Sequence, residues 1–199
     1  MWLRLVVVGA VAWGAYDHWS DRALERPPGV VAQAEPVQRA LDAPIAAIEQ
    51  AGHTLTPVAH FEVNARVLGR DTYRFDAGAK LAPVDLALGW GPMSDSAVLE
   101  NIDVGQVARA YYWRATAFPI PREAIERHSA NMHLIPATRE IERRLRKVRV
   151  GQVVTFTGYL VSARAADRRG GWNTSLTRAD TGAGACELVY VTAFAVEPA

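Results

Sequence analysis

The chain opens Met1-Trp-Leu-Arg4 and runs through Leu5-Val-Val-Val-Gly-Ala-Val-Ala-Trp-Gly-Ala-Tyr16 before its first acid, Asp17. An apolar run behind a single cation is how secretory signals and signal anchors begin. Either would decide where the rest of the chain folds, so this segment constrains the protein more than any other. Cleavage requires small residues at alternate positions just past the run. Ala10-Val-Ala12 would cut the run in half, and Ala32-Gln-Ala34 comes after the charged stretch Asp17, Asp21, Arg22, Glu25 and Arg26. The favoured reading is an uncleaved transmembrane signal anchor over residues 1–19, with a cleaved signal and a buried helix of the domain as the alternatives. Leu3 to His18 spans only about 24 Å at helical rise, against a hydrocarbon core of roughly 30 Å. Trp2, Trp13, Tyr16 and Trp19, with Arg4 able to snorkel, offset part of the mismatch. The short leading segment favours an N-terminus in the cytoplasm. That makes the chain a single-pass inner-membrane protein with an extracytoplasmic C-terminal domain.

Composition bounds the remainder of the chain. Half of the 199 residues are hydrophobic and 22% are charged, with a net charge of +1. A disordered chain would be poorer in apolar residues and further from neutrality. Near neutrality also gives no general argument for nucleic acid as a partner. Cys186 is the single cysteine, so no intrachain disulfide is possible. Pro27-Pro28-Gly29 and Glu35-Pro36 interrupt any helix leaving the membrane. Residues 20–36 therefore read as a spacer and residues 37–199 as one globular domain.

Within that domain, Val37 to Gly52 is alanine-rich, with Leu41, Ile45 and Ile48 at helical intervals around Pro44. Strand patterns occur at Phe61 to Val67, more loosely at Tyr111 to Ala117, and in the β-branched runs Val153 to Val161 and Glu187 to Val196. Gly158 marks a bulge or tight bend. Three helices are expected between them. One has Ser94 as its cap and reaches Ile102, and one is opened by Pro121. The third starts at Thr138, sets Ile141, Leu145 and Val148 on one face, and ends at Gly151. Strand groups separated by helices, without regular alternation, predict an α+β fold. Its expected form is a small bent antiparallel sheet or partly open β-barrel with helices packed on one side. The run from Val150 to Val161 resembles a barrel strand of an oligonucleotide- or oligosaccharide-binding fold, a likeness that implies no function.

Three loops collect residues that could carry chemistry. Leu86 to Asp95 brackets Trp90 with glycines, which could present the indole face to a groove; the alternative is a core tryptophan between tight turns. His128 to Pro136 holds two imidazoles that a loop could bring to one zinc, with Cys186 as a third ligand and Glu187 or Asp180 as general base. No HExxH, CxxC or EF-hand spacing supports a metal, and Asn131 and His133 would otherwise hydrogen-bond a buried turn. Gly170 to Cys186 is dense in hydroxyls and small residues. Its amides could face an oxyanion, with Cys186 as nucleophile beside His133 or His128. The competing reading is a wide hairpin loop whose cysteine is a small core residue. Finally, Thr138 to Arg149 carries Arg139, Arg143, Arg144, Arg146, Lys147 and Arg149 against Glu140 and Glu142. That face could meet anionic headgroups, carboxylates of a partner, or solvent.

The segments LGWGPMSD, SANMHLIP and SLTRADTGAGACELVYV are similar to sequences of uncharacterised bacterial proteins that begin with one apolar segment, over about residues 60–195. The resemblance implies a bacterial source and that the three loops belong together. It implies no activity, ligand or catalytic residue. The expectation is a membrane-anchored envelope module that binds or assists, without catalysis or cofactor of its own. Its partners would be inner-membrane lipid and an envelope protein, and its surface would combine Trp90, Asn131, His133, Trp172, Arg178 and Asp180. The alternative is a hydrolase or transferase using Cys186 with His133, or a metal held by His128, His133 and Cys186.

Overall fold

A single strand of 20 residues, β3 (His53–Thr72), organises the fold. The computed structural model describes residues 22–76, 78–166, 170–177 and 186–198. Along β3, Ala59, Phe61, Val63, Ala65 and Val67 point inward at a spacing of two, the strand period. Its register slips at Val58 and again at Leu68, and bulges of this kind bend a strand and increase its twist. One side of β3 pairs antiparallel with β8 (Val153–Ala165), from His53 opposite Ala165 to Arg66 opposite Val153. Its other side takes β2 (Ile48–Gln50), β1 (Val37–Ala40) and β4 (Val84–Gly89) in turn.

Two further strands, β7 (Ser129–Pro136) and β10 (Glu187–Val196), link β4 back to β8. The ring β3-β4-β7-β10-β8-β3 is therefore closed. Only β7 and β10 run parallel within it. Helix α3 (Arg139–Leu145) lies between the third and fourth barrel strands of the chain, and Ile141, Leu145 and Val148 enter the barrel core. Five strands in this order, with the third beside the fifth, form the barrel topology of oligonucleotide- and oligosaccharide-binding folds. Between β4 and β7 the chain inserts a 3-10 turn at Gly91–Ser94, α1 (Ser96–Leu99), the hairpin β5 (Ile102–Val107) and β6 (Ala110–Ala115), and α2 (Arg122–Arg127). This insertion packs on the barrel's outer wall around Leu68, Ala87, Met93, Ile102 and Ile125. A short β9 (Gly171–Trp172) extends the sheet from β8.

The α+β expectation is corrected: of the described residues 47% lie in strands and 13% in helices, and the sheet is mixed rather than antiparallel. Val37 to Gly52 is not helical. Pro44 blocks a continuous helix, β1 and β2 pair with β3, and Ala51 and Gly52 reverse the chain with φ of 48° and 75°. Leu86 to Gly89 and Ser129 to Pro136, expected as loops, are strands buried on both faces. The cap of α1 is Asp95, which accepts from the Ala97 amide, rather than Ser94. The single-pass, inner-membrane placement is also corrected. Among the described residues no helix is long and apolar enough to cross a membrane. The anchor expected at residues 1–19 lies outside the described residues.

Residues 24–32, read as part of a spacer, lie along the barrel as a strap. The Leu24 amide donates to the Val150 carbonyl at 2.7 Å, and Arg26 Nε to the Gly151 carbonyl at 2.6 Å. The Val31 and Ala32 amides both donate to Ser94 Oγ, and the Gly91 amide to the Ala32 carbonyl. Gly151, at φ +87°, sits where a Cβ would strike the Leu24 carbonyl. The LGWGPMSD segment is thus the seat of the strap. Because Leu145 is fully buried in the barrel core and Arg144 is exposed, Leu145→Asp should unfold the domain, a loss of about 4 kcal/mol or more. Arg144→Glu should change stability by less than about 0.5 kcal/mol. Thermal melts of the two variants check both.

Candidate functional site

The outer wall of β4 and β7 carries a charged cluster that an all-apolar wall would not need. Strand alternation sends Leu86, Leu88, Met132 and Leu134 into the barrel, and Asp85, Asn131 and His133 to the other face. The antiparallel register then places Asp85 directly opposite His133 and Ala87 opposite Asn131. Asp85 is 0% and His133 3% exposed. Nδ1 of His133 lies 2.9 Å from Oδ2 of Asp85, yet neither atom has an aligned hydrogen bond to any described residue. The contact is one of proximity, and polar atoms without aligned partners are costly in so buried a place.

Three surrounding segments complete the cluster. The loop after β3 brings Tyr73 and Asp76, the β5–β6 tip brings Arg109, and β9 brings Trp172. Arg109 Nη2 donates to Asp76 at 2.8 and 3.1 Å and to the Ala82 carbonyl at 3.1 Å, while Nη1 reaches Asp85 Oδ1 only at 3.4 Å. Its guanidinium stands 3.9 Å from the Tyr73 ring centre and 5.2 Å from that of Trp172, both within cation–π range. Trp172 in turn contacts the His133 ring, with centroids 4.4 Å apart. Burial and the carboxylates of Asp85 and Asp71 push the Tyr73 phenol well above its ordinary range.

Asn131 locks the hairpin to the wall. Its Nδ2 donates to the Arg109 carbonyl at 3.1 Å, and its Oδ1 accepts from Gln106 at 2.7 Å. The turn it holds is strained. Val107 pairs with Ala110, leaving Ala108 and Arg109 as a two-residue turn with φ of 47° and 68°. Such turns favour Asn-Gly, and each ordinary side chain there costs about 1–2 kcal/mol. The Arg109 side-chain contacts offset that strain.

The residues singled out from the sequence are distributed unevenly. Asn131, His133 and Trp172 converge in this cluster. Trp90 does not: it is 0% exposed in the barrel core and is no platform. Arg178 and Asp180 lie outside the described residues. His128 turns away, with Nδ1 2.7 Å from the Ala124 carbonyl of its own helix. Cys186 contacts the Asn131 amide at 3.9 Å, and burial raises its thiol pKa, opposite to what a thiolate nucleophile requires. Among the described residues no three His, Cys, Asp or Glu side chains are grouped as metal ligands. Sequence reasoning missed Tyr73, Asp76, Asp85, Gln106 and Arg109. Asp85 left one signal, a lone carboxylate inside the apolar run Pro83-Val-Asp-Leu-Ala-Leu88.

No protein-family model, curated protein or solved structure matches this chain. The raised thiol gives a direct check on the nucleophile reading. At pH 8, iodoacetamide should alkylate Cys186 in the folded protein at least about fivefold more slowly than in the urea-unfolded chain. The folded rate should keep rising above the pH at which an ordinary cysteine levels off.

Proposed function

We propose that this protein is a non-catalytic binding module that receives a partner polypeptide on the outer wall of β4 and β7. The observation that carries this reading is Asp85, a fully buried carboxyl whose described neighbours are Arg109 at 3.4 Å, the misaligned His133 ring and the Tyr73 phenol. A purely structural wall at that position gains more from an apolar side chain. The three segments around Asp85 also expose apolar groups. Phe75, Val107 and Leu176 are 98%, 60% and 51% exposed, and they lie one, two and four residues from Asp76, Arg109 and Trp172 respectively. Exposed apolar groups on the segments that supply a polar centre are typical of a docking surface. The hydrolase or transferase alternative has less support, because burial raises the Cys186 thiol pKa and the thiol meets the Asn131 amide rather than a base among the described residues.

Selection of a displayed random-peptide library on the folded protein tests the proposal. Enriched peptides should bind at least about tenfold more weakly to Phe75→Ser or Leu176→Ser, and unchanged to Arg144→Glu, which lies on the charged helix face. Thermal melts of Phe75→Ser should match the parent, since that side chain is 98% exposed. Failure of any peptide to enrich, or binding indifferent to both loop variants, would overturn the proposal.

A further inference from the structure

We infer that the pocket now filled by Arg109 is a guanidinium-recognition slot, which an arginine of the docking polypeptide takes over when the β5–β6 hairpin lifts. This rests on the binding reading above and names the chemistry it selects. Among the described residues, the groups that Arg109 contacts suit a cation: the Asp76 and Asp85 carboxylates, the Ala82 carbonyl, and the ring faces of Tyr73 and Trp172. A flat guanidinium can reach two separated carboxylates while stacking on a ring, which a compact ammonium cannot.

Arg109 occupies this slot imperfectly. Its short bonds go to Asp76, whose side chain is 39% exposed, and its long one goes to Asp85, which is 0% exposed. The other Asp85 oxygen and His133 Nδ1 lack an aligned partner among the described residues. An incoming guanidinium free of the hairpin's tether can approach Asp85 more closely and pair both of its oxygens. Displacing Arg109 also releases a turn with two non-glycine residues at positive φ. Only the hairpin tip need lift: β5 and β6 share no backbone ladder with the barrel, while Ile102, Val104, Tyr111 and Trp113 keep the rest of the hairpin packed on the wall. The Gln106–Asn131–Arg109 clamp is what must open. The exposed Phe75, Val107 and Leu176, on the segments that supply Asp76, Arg109 and Trp172, favour a guanidinium carried on a polypeptide over a free small cation.

The test uses the full chain and two probes. Methylguanidinium should raise the melting temperature of Arg109→Ala, which has lost the internal occupant. It should leave the parent and the Arg109→Ala, Asp85→Asn double variant unmoved, and methylammonium should do less. If Arg109→Ala does not fold, the second arm decides on the parent alone. Peptides selected on the parent should contain arginine, and replacing that arginine by citrulline should weaken binding at least about tenfold. Free L-arginine should bind far more weakly than the peptide; equal affinity would assign the slot to a free small cation. Peptides that bind through Phe75 and Leu176 yet ignore the citrulline exchange would overturn the guanidinium slot and leave the binding module standing. Absence of any selected peptide removes both.

Discussion

Closure of the barrel through β3 is the constraint from which the other features descend. One strand must pair with β8 along most of its length and with β4 at its end, so it has to coil. The slips at Val58 and Leu68 supply the bend, and Gly158 lets β8 approach the Tyr190 carbonyl of β10, where a Cβ would collide. Once the ring closes, β4 and β7 have one face in the barrel core. The inserted hairpin and helices, packed around Leu68, Ala87, Met93, Ile102 and Ile125, then bury the other. Two-sided burial puts Asp85 and His133 out of water.

A buried pair of ionisable side chains of this kind is a poor stabiliser. Desolvation of both groups opposes their attraction, and removing one partner leaves the other stranded. Here the pair lacks even an aligned hydrogen bond, and the nearby Arg109 reaches it from a strained turn. Several costs thus converge on one patch of an otherwise well-packed wall, a pattern proteins show at functional sites. The groove over β1, β3 and β8, of about 530 Å³, lies elsewhere and is lined by exposed strand residues such as Arg39 and Glu62. It has no comparable unmet chemistry.

The N-terminal strap links the fold to the first part of the chain. Ser94 Oγ accepts from two strap amides, and Arg66, 8% exposed, donates to the Ser94 carbonyl and to Ser96 Oγ. The glycines around Trp90 therefore serve backbone approach and core packing rather than display of an indole. The basic face of α3 is partly neutralised within the helix by the Arg143–Glu140 and Arg146–Glu142 pairs.

Local pattern was enough for β10, whose bounds match the sequence reading, and for the core of β8. It also sufficed for the Thr138 cap of α3, whose Oγ1 accepts from the Ile141 amide. These elements have one covered face or a capping residue, so alternation and spacing report them. β4 and β7 left no such trace: buried on both faces, they do not alternate, and they read as loops. Asn131, His133 and Trp172 were visible as unusual residues, but their partners Asp85, Arg109 and Tyr73 were not. Strand register and a hairpin folded back over the wall bring those groups together, and both are set by long-range pairing. Residue order was sufficient to show β10, the core of β8 and where α3 begins. Closure of the sheet, docking of the strap and the sealing of a carboxylate beneath an arginine emerge only in the folded molecule. Those outcomes depend on contacts between residues far apart in the chain, which no local periodicity encodes.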